Sequence, residues 1–220
     1  VSGKVEARNA GWTWDLIDEA KQVIDAGADF LYFHPPAGLD NMEDFVNLYK
    51  TFCKAVRTPM MALMVGVSPS VIKQVALVGE SIAAFKYENR ENIGLMKELV
   101  ANMKEVEAET GRHVCPLRAG DQGLAECLAN GAEGNFNGGG SWRVREDVAI
   151  YKAVKRGDLN EAFAIQNRMD PATDAVRGRY GARLMPYYRF PYRYKIVCWL
   201  LGKVPNPYSR LPRVAFSNEE

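Results

Sequence analysis

Histidine is scarce in this chain: among 220 residues only His34 and His113 occur. Catalysis by a histidine-bound metal is therefore not expected, and nothing in the sequence implies an organic cofactor. Cys53, Cys115, Cys127 and Cys198 are widely spaced within apolar-periodic segments. That pattern reads as buried free thiols of a cytoplasmic protein, not as a disulfide frame or a zinc site. No apolar run approaches the roughly 18 residues a membrane span needs. Val1 to Glu6 carry charge and no apolar core, so no secretory signal is visible. A net charge of +1 gives no general attraction to nucleic acid or anionic lipid.

What is present is an ordinary globular composition, 47% hydrophobic and 25% charged, with length for one well-cored domain. Helix-like and strand-like segments alternate. Trp14 to Ala26 sets Leu16, Ile17, Ala20, Val23 and Ile24 on one helical face and is stopped by Gly27. A buried strand, Asp29 to Phe33, ends at Pro35-Pro36. Asp40 and Glu43 suggest a capping box for a helix reaching Val56. Met60 to Val65 predicts a strand, and Ser68-Pro69 caps and opens a helix to about Leu77. Ile82 to Glu88 is the next strand, before a long helix from about Asn92 to Thr110.

His113 to Arg118, Gly123 to Asn130 and Glu133 to Asn137 continue as strand, short helix and strand. Such alternation with short connections predicts a parallel sheet with crossover helices. Beyond Gly140 the pattern is helical only: about Arg145–Arg156, Leu159–Asp170, Ala172–Tyr180 and Tyr192–Leu201. The organisation expected is a partial barrel over 1–140 and a helical extension of the same domain over 141–220. Five strands are counted, with a sixth possible in Lys4 to Arg8.

Lys86 is the residue of greatest chemical interest. A lysine at the end of an apolar strand is poorly solvated, which disfavours its charged form, and a neutral amine can form a Schiff base with a carbonyl. The plainer alternative is a lysine that has left the sheet and reached water.

Read in order, several stretches resemble the dihydrodipicolinate synthase / N-acetylneuraminate lyase family of class I aldolases and dehydratases. They are Ala26-Gly27-Ala28-Asp29 through His34-Pro35-Pro36, Thr58-Pro59, Phe85-Lys86, Ala119-Gly120-Asp121 and Asn130 through Asn137. Tyr151-Lys152-Ala153 with Gly157-Asp158, and Leu211-Pro212-Arg213, complete the series. The resemblance implies a TIM (β/α)8 barrel, lacking here about its first two strands, with a C-terminal helical extension. It further implies that Lys86 is the Schiff-base lysine, that a homotetramer or dimer forms, and that no cofactor is needed. The function expected is an aldolase or dehydratase acting on pyruvate or a 2-keto-3-deoxy sugar acid.

Two relay positions and one arginine depart from the family. Its proton-relay tyrosine on the preceding strand falls at Leu63, and its second relay tyrosine falls at Ala37. The substrate-binding arginine that the synthase carries after that strand has no counterpart between Gly66 and Ser70. These losses argue against authentic dihydrodipicolinate synthase activity. They leave open a divergent enzyme or a non-catalytic small-acid-binding protein on the same barrel.

Glu88 shares the facing of Lys86 and Ala84 along the strand, so its carboxylate is a candidate acid–base group. A glutamate simply leading to the next helix is the other reading. Arg118 ends the following strand and could bind a 2-keto acid carboxylate bidentately, or form an ordinary ion pair. Asn137, followed by Gly138-Gly139-Gly140, is a candidate ligand contact through its amide and the glycine backbone. His34, at a strand end beside Pro35, is a catalytic candidate or a satisfied core histidine. Arg177 to Arg213 mixes arginine and tyrosine without an acidic residue. A solvated helix face or a subunit contact is expected there rather than a nucleic-acid surface.

Overall fold

Strand and helix alternate as the sequence suggests across the residues that the computed structural model describes, 2–6, 13–36, 41–88, 94–181 and 190–208. The strands are β1 (Ser2–Glu6), β2 (Phe30–His34), β3 (Met60–Val65), β4 (Ile82–Glu88), β5 (Cys115–Arg118) and β6 (Gly134–Asn135). Between them run α1 (Thr13–Asp25), α2 (Met42–Ala55), α3 (Pro69–Val78), α4 (Leu95–Thr110) and α5 (Leu124–Ala129). Three helices follow: α6 (Gly140–Lys155), α7 (Leu159–Gly181) and α8 (Phe190–Leu200).

Every neighbouring pair of strands is parallel, and the order in the sheet is the order in the chain. A doubly wound sheet reverses its order at a switch point. A strictly sequential order, with right-handed crossovers on one face, belongs to a (β/α) barrel. Six strands are present among the described residues, where a closed barrel has eight. The possible sixth strand is β1, lying two residues earlier than expected.

The chain forms two compact units, one of Val1–Ala119 with Asn130–Asn135 and the other of Gly120–Ala129 with Phe136–Glu220. The first holds the whole sheet and α1 to α4. In α1, Leu16, Ile17 and Ala20 are buried, and the helix ends at Gly27, whose φ of 96° suits a residue without a Cβ. The cap of α2 is Asn41, whose side chain accepts the Glu43 amide at 2.8 Å. The expected capping residue, Asp40, lies outside the described residues. Pro69 opens α3 as expected, but Ser68 Oγ meets Ser70 Oγ at 3.0 Å and makes no cap to a backbone amide.

The ring of Phe33 meets Phe52 at 4.6 Å and Tyr49 at 5.3 Å, both on α2. Because strand side chains alternate, Leu31 and Phe33 face the helices, and Phe30, Tyr32 and His34 face the other way. Each large apolar side chain buried on the helix side contributes on the order of 1.5–3 kcal/mol. Arg112, just past α4, donates to the carbonyls of Ala76 at 2.5 Å and Gly79 at 3.2 Å, closing the C-terminal end of α3.

The second unit packs α5, α6, α7 and α8 together. Its first turn of α6 is set off by Arg143 (φ −125°, ψ 27°), and the regular helix resumes after it, near the expected start at Arg145. A break at Pro171 was expected, yet α7 runs through it. Ala162, Ile165, Thr173 and Val176 are all buried, so one face continues across the proline and its packing outweighs the lost N–H bond.

Candidate active site

Lys86 stands near the carboxyl end of β4, half-buried, on the face turned away from the helices. The register fixes this facing. Tyr32 pairs with Met61, Met61 with Ala84, and Ala84 lies two residues before Lys86. Partners across a parallel ladder point the same way, so Tyr32, Met61, Leu63, Ala84 and Lys86 share one face. Lys86 Nζ donates to Tyr32 Oη at 2.8 Å. The amine lies 5.1 Å from the centre of the tyrosine ring, so its close contact is with the oxygen.

The other predicted residues divide by position. Glu88 pairs with Val65 and shares the Lys86 face, and its carbonyl accepts the Gly66 amide at 3.0 Å. His34 ends β2 on the Tyr32 face, and the two rings meet edge-on at 4.5 Å. Lys86, Tyr32, His34 and Glu88 thus occupy one face of the sheet at the carboxyl ends of their strands.

Arg118 does not join them. It pairs with Tyr87, whereas Leu117 is the partner of Lys86. Arg118 therefore leaves β5 on the opposite face and is only 4% exposed there. A single-residue offset in register moves a side chain across the sheet. Asn135 follows Arg118 in the ladder and shares that facing.

Asn137 and Gly138 belong to the second unit. The strand expected to reach Asn137 stops at Asn135, and the Asn137 amide serves the following turn. Its Oδ1 accepts the Gly140 amide at 2.8 Å, and its Nδ2 donates to Gly120 O and Asp147 Oδ2, both at 3.3 Å. Gly138 lies against the Tyr194 ring: a Cβ there would stand 2.3 Å from Cε2. Close packing explains this glycine, since any larger residue would strike the ring.

Around Gly138 runs a buried polar network that no sequence motif indicated. Asp121 accepts from the Gly139 amide at 2.9 Å and from Tyr194 Oη at 2.5 Å. Arg143 donates to Thr173 Oγ at 2.7 Å and to the Asp121 carbonyl, and meets Asp147 at 3.2 Å. Burial pushes the Asp147 carboxyl above its ordinary range, with Arg143 opposing. Burial, with Asp121 beside it, raises the Tyr194 phenol strongly.

Tyr32, the residue that accepts from the Lys86 amine, is the site neighbour that sequence reasoning missed. A signal existed: Phe30, Tyr32 and His34 alternate onto one facing, and two of them carry polar tips at the strand end. Among the described residues, no group of three or more His, Cys, Asp or Glu side chains is placed to hold a metal ion.

No protein-family model matches the sequence, and no curated protein is found similar to it. Solved structures do match it. The chain superposes on dihydrodipicolinate synthase from Bacteroides thetaiotaomicron with a TM-score of 0.79 and 19% identity, covering 99% of this chain and 70% of that one. For the Thermotoga maritima synthase the TM-score is 0.82 at 16% identity, with the same coverage. A prophage protein of the dihydrodipicolinic acid synthase family from E. coli K12, solved in complex with pyruvate, gives 0.81 at 16% identity, again over 99% and 70%. The chain therefore has the fold of the dihydrodipicolinate synthase family.

Proposed function

We propose that the protein is a Schiff-base-forming lyase, an aldolase or dehydratase, acting on pyruvate or a 2-keto-3-deoxy sugar acid through Lys86. The observation that carries this reading is the place of the amine. It lies near the carboxyl end of a central barrel strand, turned away from the helices, where barrel enzymes hold their sites. Lys86 would attack the C2 carbonyl, water would leave, and the iminium would accept electrons for retro-aldol cleavage, aldol addition or dehydration. Pyruvate is the ligand in the E. coli neighbour, which supports a 2-keto acid here. No cofactor enters the scheme. The four free thiols suit a cytoplasmic setting, and the fold family favours a homo-oligomer, a tetramer or dimer.

A second reading is a non-catalytic protein that binds a small acid in the inherited site. Leu63, a hydrocarbon at the family's tyrosine position and the register partner of Lys86, favours it. Borohydride trapping separates the two. Folded protein, checked by circular dichroism, is incubated with pyruvate and with a panel of 2-keto-3-deoxy sugar acids, reduced, and mapped by peptide mass. The lyase reading expects an adduct on Lys86 that disappears in Lys86→Ala. Absence of any adduct would overturn it and put the binding protein ahead.

A further inference from the structure

We infer that Tyr32 is the acid–base residue of the Lys86 site, a role assigned on top of the Schiff-base reading above. Both lateral neighbours of Lys86 in the sheet are leucines, Leu63 on β3 and Leu117 on β5. Neither can carry a proton. Glu88 shares the facing but sits two residues on, about 7 Å along the strand. The phenol of Tyr32 reaches the amine from β2, one strand beyond β3, and touches it at 2.8 Å. The Tyr32 and His34 rings meet edge-on with their centroids 4.5 Å apart, and both residues are fixed on a strand, which holds the phenol in place.

The geometry supports a closed proton cycle. The Lys86 lone pair forms the N–C2 bond while the carbonyl π pair moves to oxygen, which takes the phenol proton. The tyrosinate then recovers a proton from the newly charged nitrogen, leaving a neutral carbinolamine. Tyr32 next protonates the carbinolamine hydroxyl, which departs as water as the nitrogen lone pair forms the C=N bond. Iminium and tyrosinate are left as an ion pair. In the cleavage direction the tyrosinate takes the proton of the C4 hydroxyl, the C3–C4 pair moves into the enamine, and the aldehyde leaves. One phenol so serves the steps that the leucine at position 63 cannot.

The test compares wild type with Tyr32→Phe, using borohydride trapping with pyruvate and steady-state cleavage of whichever 2-keto-3-deoxy sugar acid traps best. Removing one acid–base group is expected to slow kcat by roughly 10²–10⁴-fold. The Lys86 adduct should still form in Tyr32→Phe, more slowly, and one limb of the kcat–pH profile should be lost. Fluorotyrosine at position 32 keeps the shape and lowers the phenol's pKa, so it should move that limb to lower pH even if Tyr32→Phe proves poorly folded. A kcat within about twofold of wild type in a folded Tyr32→Phe overturns the assignment. So does a pH profile that fluorotyrosine leaves unmoved. Loss of trapping in the wild type itself would instead overturn the Schiff-base reading beneath it.

Discussion

Tyr194 Oη donates to Asp121 Oδ2 at 2.5 Å, across 73 positions of sequence, and its ring covers the α-carbon of Gly138 so closely that no Cβ fits. Gly138→Ala must displace that ring and is expected to lower stability by about 1–3 kcal/mol. Tyr194→Phe removes the bond to a carboxylate and is expected to cost about 1.5–3 kcal/mol. Urea denaturation read by fluorescence checks both. A midpoint unchanged in Gly138→Ala would show that the ring moves aside freely.

Arg112 donates to two carbonyls at the end of α3, Ala76 O and Gly79 O. Arg112→Leu keeps much of the hydrocarbon stem and removes the donors. Charged hydrogen bonds of this kind are worth about 1.5–3 kcal/mol, so a fall in Tm of several degrees is expected in calorimetry. Protection of the α3 amides from hydrogen exchange should fall with it. Equal protection in the variant would remove this capping role.

His113 lies between Glu133 and Glu107, at 3.0 and 3.3 Å. The hydrogen bond it donates to Glu133, and then the one to Glu107, raises its pKa above the ordinary 6.5. A raised folded-state pKa means the stabilisation is complete below about pH 6.5 and is lost as pH rises through the higher folded value. The stability gap between wild type and His113→Gln should therefore be widest in mild acid and close in base. Because the ring is half exposed, the gap should shrink with added salt. A gap that is flat with pH contradicts the pairing.

Cys53 is buried, and that burial pushes its thiol up, with the Ser81 hydrogen bond opposing. Little thiolate is then present at neutral pH, and access is blocked as well. Iodoacetamide mapping at pH 8 should label Cys53 far more slowly in native protein than in urea, where all four cysteines should react. Rapid native labelling of Cys53 would show that the α2 helix opens readily.

Where one face of an element is buried, its bounds were legible in the sequence. β3 and β4 begin and end at the expected residues, Met60–Val65 and Ile82–Glu88: β3 is an unbroken apolar run between Pro59 and Gly66, and β4 opens on the apolar run Ile82 to Phe85. The turn chemistry was less legible. Asn41 caps α2, the last strand stops at Asn135, and α7 passes through Pro171. In the first two cases a side-chain hydrogen bond outweighed a local preference, and in the third the packing of a buried helix face did. Of the predicted site residues, Lys86, Glu88 and His34 share one face, and Arg118 lies on the other because its register partner is Tyr87. Strand alternation gives facing within one strand. It gives no offset between strands.

By itself the sequence determined the alternation of strand and helix, the parallel sheet it implies, and the place of Lys86 near a strand end. These depend on apolar periodicity and on glycine and proline, which act over a few residues. Only the tertiary structure decided which groups Lys86 meets: Tyr32, 54 positions away, and leucines on either side. The reason is geometric. Neighbouring strands lie about 4.8 Å apart, so side chains remote in sequence come within bonding distance, and a shift of one residue exchanges one set of neighbours for another.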